Sequence, residues 1–126
     1  MPEAAYVDSA ESLSRVLKSA VVDRNTATSH AILSPEAGKG WVIHGMFLQA
    51  EVANTFILKS GSTALTGTID MAAPDTNIGN NAIFMLPQSS VPWFRSVAAA
   101  DDIVLTLGLA QQVNGWISYA LTEQIT

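Results

Sequence analysis

Apolar and polar residues alternate along most of this chain with a period of two, the repeat of a strand whose side chains point to opposite faces. DIVLTLGLA, Asp102 to Ala110, sets Ile103, Leu105, Leu107 and Leu109 against Val104, Thr106, Gly108 and Ala110. GWISYALTE, Gly115 to Glu123, sets Ile117, Tyr119 and Leu121 against Trp116, Ser118, Ala120 and Thr122. QQVN between them reads as a hairpin connection, with Asn114-Gly115 supplying residues that tolerate positive φ. A longer strand is expected over Lys39 to Ala50, followed after a short turn by Asn54 to Ser60. Ala27 to Leu33 and Asn81 to Pro87 add two more. Ser60-Gly61-Ser62-Thr63 falls between two strand-like runs and reads as a hairpin turn. Ser34 to Gly38 and Ala73 to Asn80 are turns by composition.

The N-terminal stretch supports two readings. Leu13, Val16, Leu17 and Ala20 have helical spacing behind Ser9 as an N-cap, and Arg15 to Val22 also reads as a strand. Either way the chain offers seven or eight short strands, regularly spaced turns and no strong long helix. The expected class is all-β, an antiparallel β-sandwich or jelly roll. Several strands are apolar on both faces, so the second face calls for a partner.

Composition sharpens that expectation. A chain of 126 residues is one domain. Charged residues make up 13% of it, against roughly a quarter in typical soluble domains, and mean hydropathy is +0.27. Such a chain is expected to bury surface against copies of itself. The net charge of −5, with Arg15, Lys18, Arg24, Lys39, Lys59 and Arg95 scattered, excludes nucleic acid as a partner. No run reaches the roughly 18 apolar residues of a membrane span, and Met1-Pro2-Glu3 does not open a signal peptide. There is no cysteine, which removes disulfides and thiolate chemistry.

Candidate chemistry is sparse. His30 and His44 sit on expected strands separated by a turn, where they would face one another across a hairpin, but no third ligand accompanies them. Asp101-Asp102 and Asp75 lack the spacing of a calcium loop and suit turns. Ser60-Gly61-Ser62-Thr63 lacks the lysine and following helix of a phosphate loop, and no G-x-S-x-G elbow occurs. The expectation is a chain with no catalytic residue, cofactor or metal. Trp41 and Trp116 lie inside apolar strand patterns, as core or interface residues. Trp93, in VPWFRS, is the aromatic best placed for surface contact.

From Arg15 onward, the succession RVLKSAVV, SPEAGKGWVIHGMFLQA, FILKSGSTALTG, IDMAAPD, PWFRSVAAADDIVLTLGLA and VNGWISYALTE resembles the decoration, or cement, proteins of tailed-phage heads. About nine-tenths of the chain follows that order. It departs at Asp101-Asp102, where the family carries a Gly-acid pair, and in a longer PDTNIGNNAIFMLPQSS loop. The resemblance implies a single sandwich domain over residues 15–126, preceded by an arm over residues 1–14. It further implies a homotrimer bound to the major capsid protein on the outer surface of the virion, made in the host cytoplasm. On this reading Leu105 and Leu107 are core, Phe47, Trp116 and Tyr119 meet the neighbouring protomers, and Tyr6, Val7 and Trp93 touch the capsid. A carbohydrate- or receptor-binding module of a phage fibre or tail is the alternative.

Overall fold

The computed structural model describes residues 17–71 and 82–123. The expected arm, with Tyr6 and Val7, the Ser9 cap and the 72–81 loop lie outside those residues. Ten strands are present among the described residues: β1 Lys18–Arg24, β2 Ser29–Leu33, β3 Lys39–Ala50, β4 Asn54–Ser60, β5 Thr63–Ala64, β6 Ile69–Met71, β7 Ala82–Leu86, β8 Phe94–Arg95, β9 Ile103–Leu107 and β10 Val113–Glu123. Ten exceeds the seven or eight that the alternation suggests because β5, β6 and β8 are only two or three residues long. The N-terminal ambiguity resolves to a strand from Lys18.

The strands form two antiparallel sheets. The first runs β1-β10-β3-β7, with β8 also on β3, and the second runs β2-β9-β4-β5, with β6 also on β4. The chain switches sheets at each step from β1 to β4 and again around β9, and the last long strand lies between the first and third, which is the double Greek key of a jelly roll. The all-β sandwich expected from the alternation is the fold of the chain.

Between the sheets lies one core. β4 sends Phe56 and Leu58 into it, β9 sends Ile103, Leu105 and Leu107, and β10 sends Val113, Ile117 and Tyr119. Phe56 of the second sheet meets Phe84 of the first edge-on, with ring centroids 5.0 Å apart. From β3 come Trp41 and Ile43, then Met46, Leu48 and Ala50. That sequence changes parity in mid-strand. The cause is a bulge: Ile43 pairs with Tyr119 and Gly45 with Ser118, leaving His44 without a partner on β10. His44 instead joins Ser89, whose N–H donates to its carbonyl at 2.8 Å and whose carbonyl accepts from His44 Nδ1 at 2.8 Å.

Two expectations fail here for physical reasons. Leu109 is outside the core, 51% exposed, because β9 ends at Leu107. The buried Asn54 side chain captures the next turn, donating to the carbonyls of Leu109 and Gln111 and accepting from the Leu109 N–H. Asn114-Gly115 is not the hairpin turn, since both residues lie within β10, opposite Gln49 and Leu48. Nor is there a hairpin: β9 and β10 belong to different sheets, and residues 108–112 carry the chain from one to the other. Gly115 has φ 151°, and a Cβ there would sit 1.9 Å from the Phe47 carbonyl oxygen. Glycine is needed because the two backbones touch.

Gly115→Ala is therefore expected to destabilise the chain by about 3 kcal/mol or more. Urea denaturation followed by tryptophan fluorescence checks this; a loss below about 1 kcal/mol would mean that β10 shifts freely on β3.

Candidate interaction surface

The two faces of the first sheet are assigned by its register. Directly opposed residues of an antiparallel pair share a face. Val21 on β1 opposes Trp116 on β10, Trp116 opposes Phe47 on β3, and Phe47 opposes Met85 on β7. All four point away from the core. They form one apolar row across the full width of the sheet, about 14 Å at the usual strand spacing. Val21 is 72% exposed and Met85 56%. Phe47 and Trp116 stack, centroids 6.2 Å apart and planes inclined by 22°, which makes the centre of the row flat. Ile83, also exposed, stands one pair along β7, opposite Gln49.

Polar residues, neutral except for Asp23, border the row. On one side Ser19 opposes Ser118, itself opposite Gly45; on the other Asp23 opposes Asn114, itself opposite Gln49. Asp23 is the ionisable residue at these positions, and it accepts from Gln112 Nε2. Beyond the bulge the same side carries Val42 and Ala120, which are buried. The exposed apolar surface is thus confined to the half of the sheet on the Phe47 side of His44. An apolar centre with a polar rim is the anatomy of a protein interface. The outer side of the second sheet differs, with Ser29 hydrogen-bonded to Thr106 at 2.7 Å and Lys59 opposite Val104.

Of the residues expected at subunit contacts, Phe47 and Trp116 are brought together on this surface, while Tyr119 is placed in the core at 7% exposure. The bulge lies between Ser118 and Tyr119, and Tyr119 pairs with core-facing Ile43. Sequence reasoning missed Val21, Ile83 and Met85. Their signal was strand pairing across remote segments, which alternation within one strand does not carry. Trp93 stands on the connector between β7 and β9, 44% exposed, with its indole N–H donating to the Pro87 carbonyl at 2.9 Å. Val91 beside it is also exposed.

The other chemical candidates are absorbed by the fold. His30 and His44 belong to different sheets and do not face one another across a hairpin. His30 bonds Thr26 locally. The Ser60-Gly61-Ser62-Thr63 stretch is a two-residue turn, Ser60 pairing with Thr63 and Gly61 at φ 59°, as in a type II′ hairpin. Ser60 is buried, donates to Asp101 Oδ2 at 2.7 Å and accepts the Val97 N–H at 2.8 Å. Asp101 Oδ2 also accepts the Ala98 N–H, and the Asp101 carbonyl accepts the indole N–H of buried Trp41. Asp101 is a structural pin holding the connector to β3 and β4. Lys39 pairs with Glu123 where β3 and β10 end, and the Glu123 carboxylate raises the Lys39 pKa. No group of three potential metal ligands occurs among the described residues.

No family model and no curated protein matches the chain. Among solved structures it is similar to a chain of the Bacillus endospore appendages, described as disulfide-linked pili, with 19% identity, 88% of each chain covered and a TM-score of 0.44. It is similar to the insecticidal delta-endotoxin Cry8Ea1 of Bacillus thuringiensis, with 14% identity over 83% of this chain and 20% of that one, at a TM-score of 0.41. It is also similar to a chain from the virus-like particle of the giant freshwater prawn Macrobrachium rosenbergii extra small virus. There the identity is 11%, over 84% of this chain and 79% of the other, at a TM-score of 0.35.

Because Val21 and Met85 are outside the core, replacing either by Ser is expected to change monomer stability by no more than about 0.5 kcal/mol. Phe56→Ala, which empties the centre of the sandwich, is expected to cost about 3–5 kcal/mol. Denaturation at concentrations that keep copies apart checks both. A large loss at Val21 or Met85 would place those side chains against the protein's own interior.

Proposed function

We propose that the protein is a structural subunit without catalytic function, a decoration protein that binds the assembled phage head as a homotrimer and stabilises the shell. The observation that carries this reading is the exposed apolar row with its polar rim, a surface suited to contact with protein. The resemblance along RVLKSAVV to VNGWISYALTE supports the particular class. On this reading the protein resides on the outer surface of the capsid, and Trp93, exposed on its connector, meets the major capsid protein together with Tyr6 and Val7 of the arm.

The physics of such a role is simple. A subunit that binds only the assembled lattice stabilises it by mass action, because loose capsid subunits gain nothing. Three modest contacts on one rigid trimer act together, with avidity about 10² to 10⁴ above a single contact.

Adding the purified chain to undecorated tailed-phage heads, assembled from major capsid protein alone, tests the reading. Saturable binding in electron micrographs and greater resistance of the heads to heating are expected. Trp93→Ala is expected to weaken binding by about 10-fold or more, and deletion of residues 2–12 to weaken it further. Failure to bind heads, with binding to glycans instead, would replace the reading with a carbohydrate-binding module.

A further inference from the structure

We infer that the connector between β7 and β9 engages the assembled head through side chains alone, with the Arg95 guanidinium taking a carboxylate of the shell between exposed Val91, Trp93 and Val97. The inference rests on the decoration reading. It adds to Trp93 the charged residue of that contact and the chemistry that residue recognises.

Exposure alternates along the connector. Val91, Trp93 and Val97 are 71%, 44% and 51% exposed, and Arg95 is exposed too, while Ser96 is buried and Pro92 and Phe94 are half-buried. Arg95 stands two residues from Trp93 and two from Val97, so an apolar neighbour lies within about 7 Å along the chain on either side.

The backbone of this segment is already engaged. The Val91 N–H donates to Ser89 Oγ at 3.2 Å and the Trp93 N–H to the Ile43 carbonyl at 2.8 Å. The Ser96 N–H donates to the Trp41 carbonyl at 2.9 Å and the Val97 N–H to Ser60 Oγ at 2.8 Å. Pro92 has no N–H to offer. A partner adding a strand here would find few donors, so recognition falls to the side chains. The same bonds hold those side chains in place before contact, which reduces the ordering lost on binding. With its indole N–H bonded to the Pro87 carbonyl, Trp93 presents the ring.

Charge names the partner's chemistry. The chain has eleven acidic residues against six basic ones, yet among the described residues no carboxylate lies within ion-pair reach of Arg95. Asp101, six residues on, turns inward to Ser60 and to the Ala98 N–H. A guanidinium is a planar fork that fits a carboxylate through two parallel hydrogen bonds. Trp and Arg are also the residues that most often dominate interface energies. An acidic chain meeting an acidic shell is repelled elsewhere and attracted here, so the pair fixes orientation as well as strength.

Binding to undecorated tailed-phage heads, assembled from major capsid protein alone, tests the inference for the full chain and for Arg95→Lys, Arg95→Met and Arg95→Glu. Lys59→Glu, the same change of charge on the second sheet, is the control. Arg95 is exposed, so its variants are expected to fold, which circular dichroism checks. Arg95→Lys is expected to weaken binding by less than about 5-fold, Arg95→Met by about 10-fold or more and Arg95→Glu by about 100-fold or more, with the control unchanged. Amidating the carboxylates of the heads beforehand is expected to abolish the difference between the native chain and Arg95→Met. Arg95→Met binding like the native chain, Arg95→Lys binding no better than Arg95→Met, or a difference that survives amidation overturns the inference. If Trp93→Ala weakens binding while every Arg95 variant binds like the native chain, the inference falls alone and the decoration reading stands. A native chain that does not bind heads overturns both.

Discussion

The bulge at His44 governs which side chains the first sheet buries and which it shows. Without it, strict alternation along β3 would put Trp41, Ile43 and Phe47 on one face and His44, Met46 and Leu48 on the other. Either an imidazole would enter the core, or Met46 and Leu48 would leave it. The extra residue lets Trp41, Ile43, Met46, Leu48 and Ala50 all face inward, and it leaves Phe47 outside beside Trp116. The bulge is held from the connector side, because Ser89 satisfies both the carbonyl and Nδ1 of His44. The apolar row and the core packing therefore depend on the same local geometry.

Polar residues fix the ends of the sandwich where apolar packing has no directional preference. Asn54 uses its whole amide, donating to the carbonyls of Leu109 and Gln111 and accepting from the N–H groups of Thr55 and Leu109. Ser60 and Asp101 hold the other end through four hydrogen bonds reaching Val97, Ala98 and Trp41. Each network is buried or nearly so, and each group in it has a partner. Losing one member strands the others in a poor dielectric, which costs more than the single bond is worth.

How much of this could be read in the sequence differs from residue to residue. The core faces of β4 and β9 were legible because regular alternation there meets a regular ladder, as Leu105 and Leu107 illustrate. Tyr119 was misread as an interface residue although the alternation of β10 already sets it with core-facing Ile117 and opposite Trp116; its aromatic character outweighed its parity. Asn114-Gly115 carries the composition of a turn, yet the glycine answers a steric demand from the Phe47 carbonyl. Leu109 continues the alternation on paper, but Asn54 had already claimed its backbone. The candidate surface was half legible: two aromatics could be nominated from apolar strand patterns, while Val21, Ile83 and Met85 join them only through pairings between distant segments.

The position of β10 has a consequence for how the chain is made. It lies in the middle of the first sheet, joined along its whole length to β3 and along β1, yet it follows every other described strand in the sequence. On the ribosome, β1 and β3 emerge early and must wait, with the gap between them open, until Val113 to Glu123 has left the exit tunnel. Until then the nascent chain carries unpaired edges and an uncovered core. Folding is a single late event dominated by long-range pairing, slow by the standards of local topologies. A ribosome that stalls within β10 holds out a sheet split down its centre, with two adhesive edges open to any chain beside it.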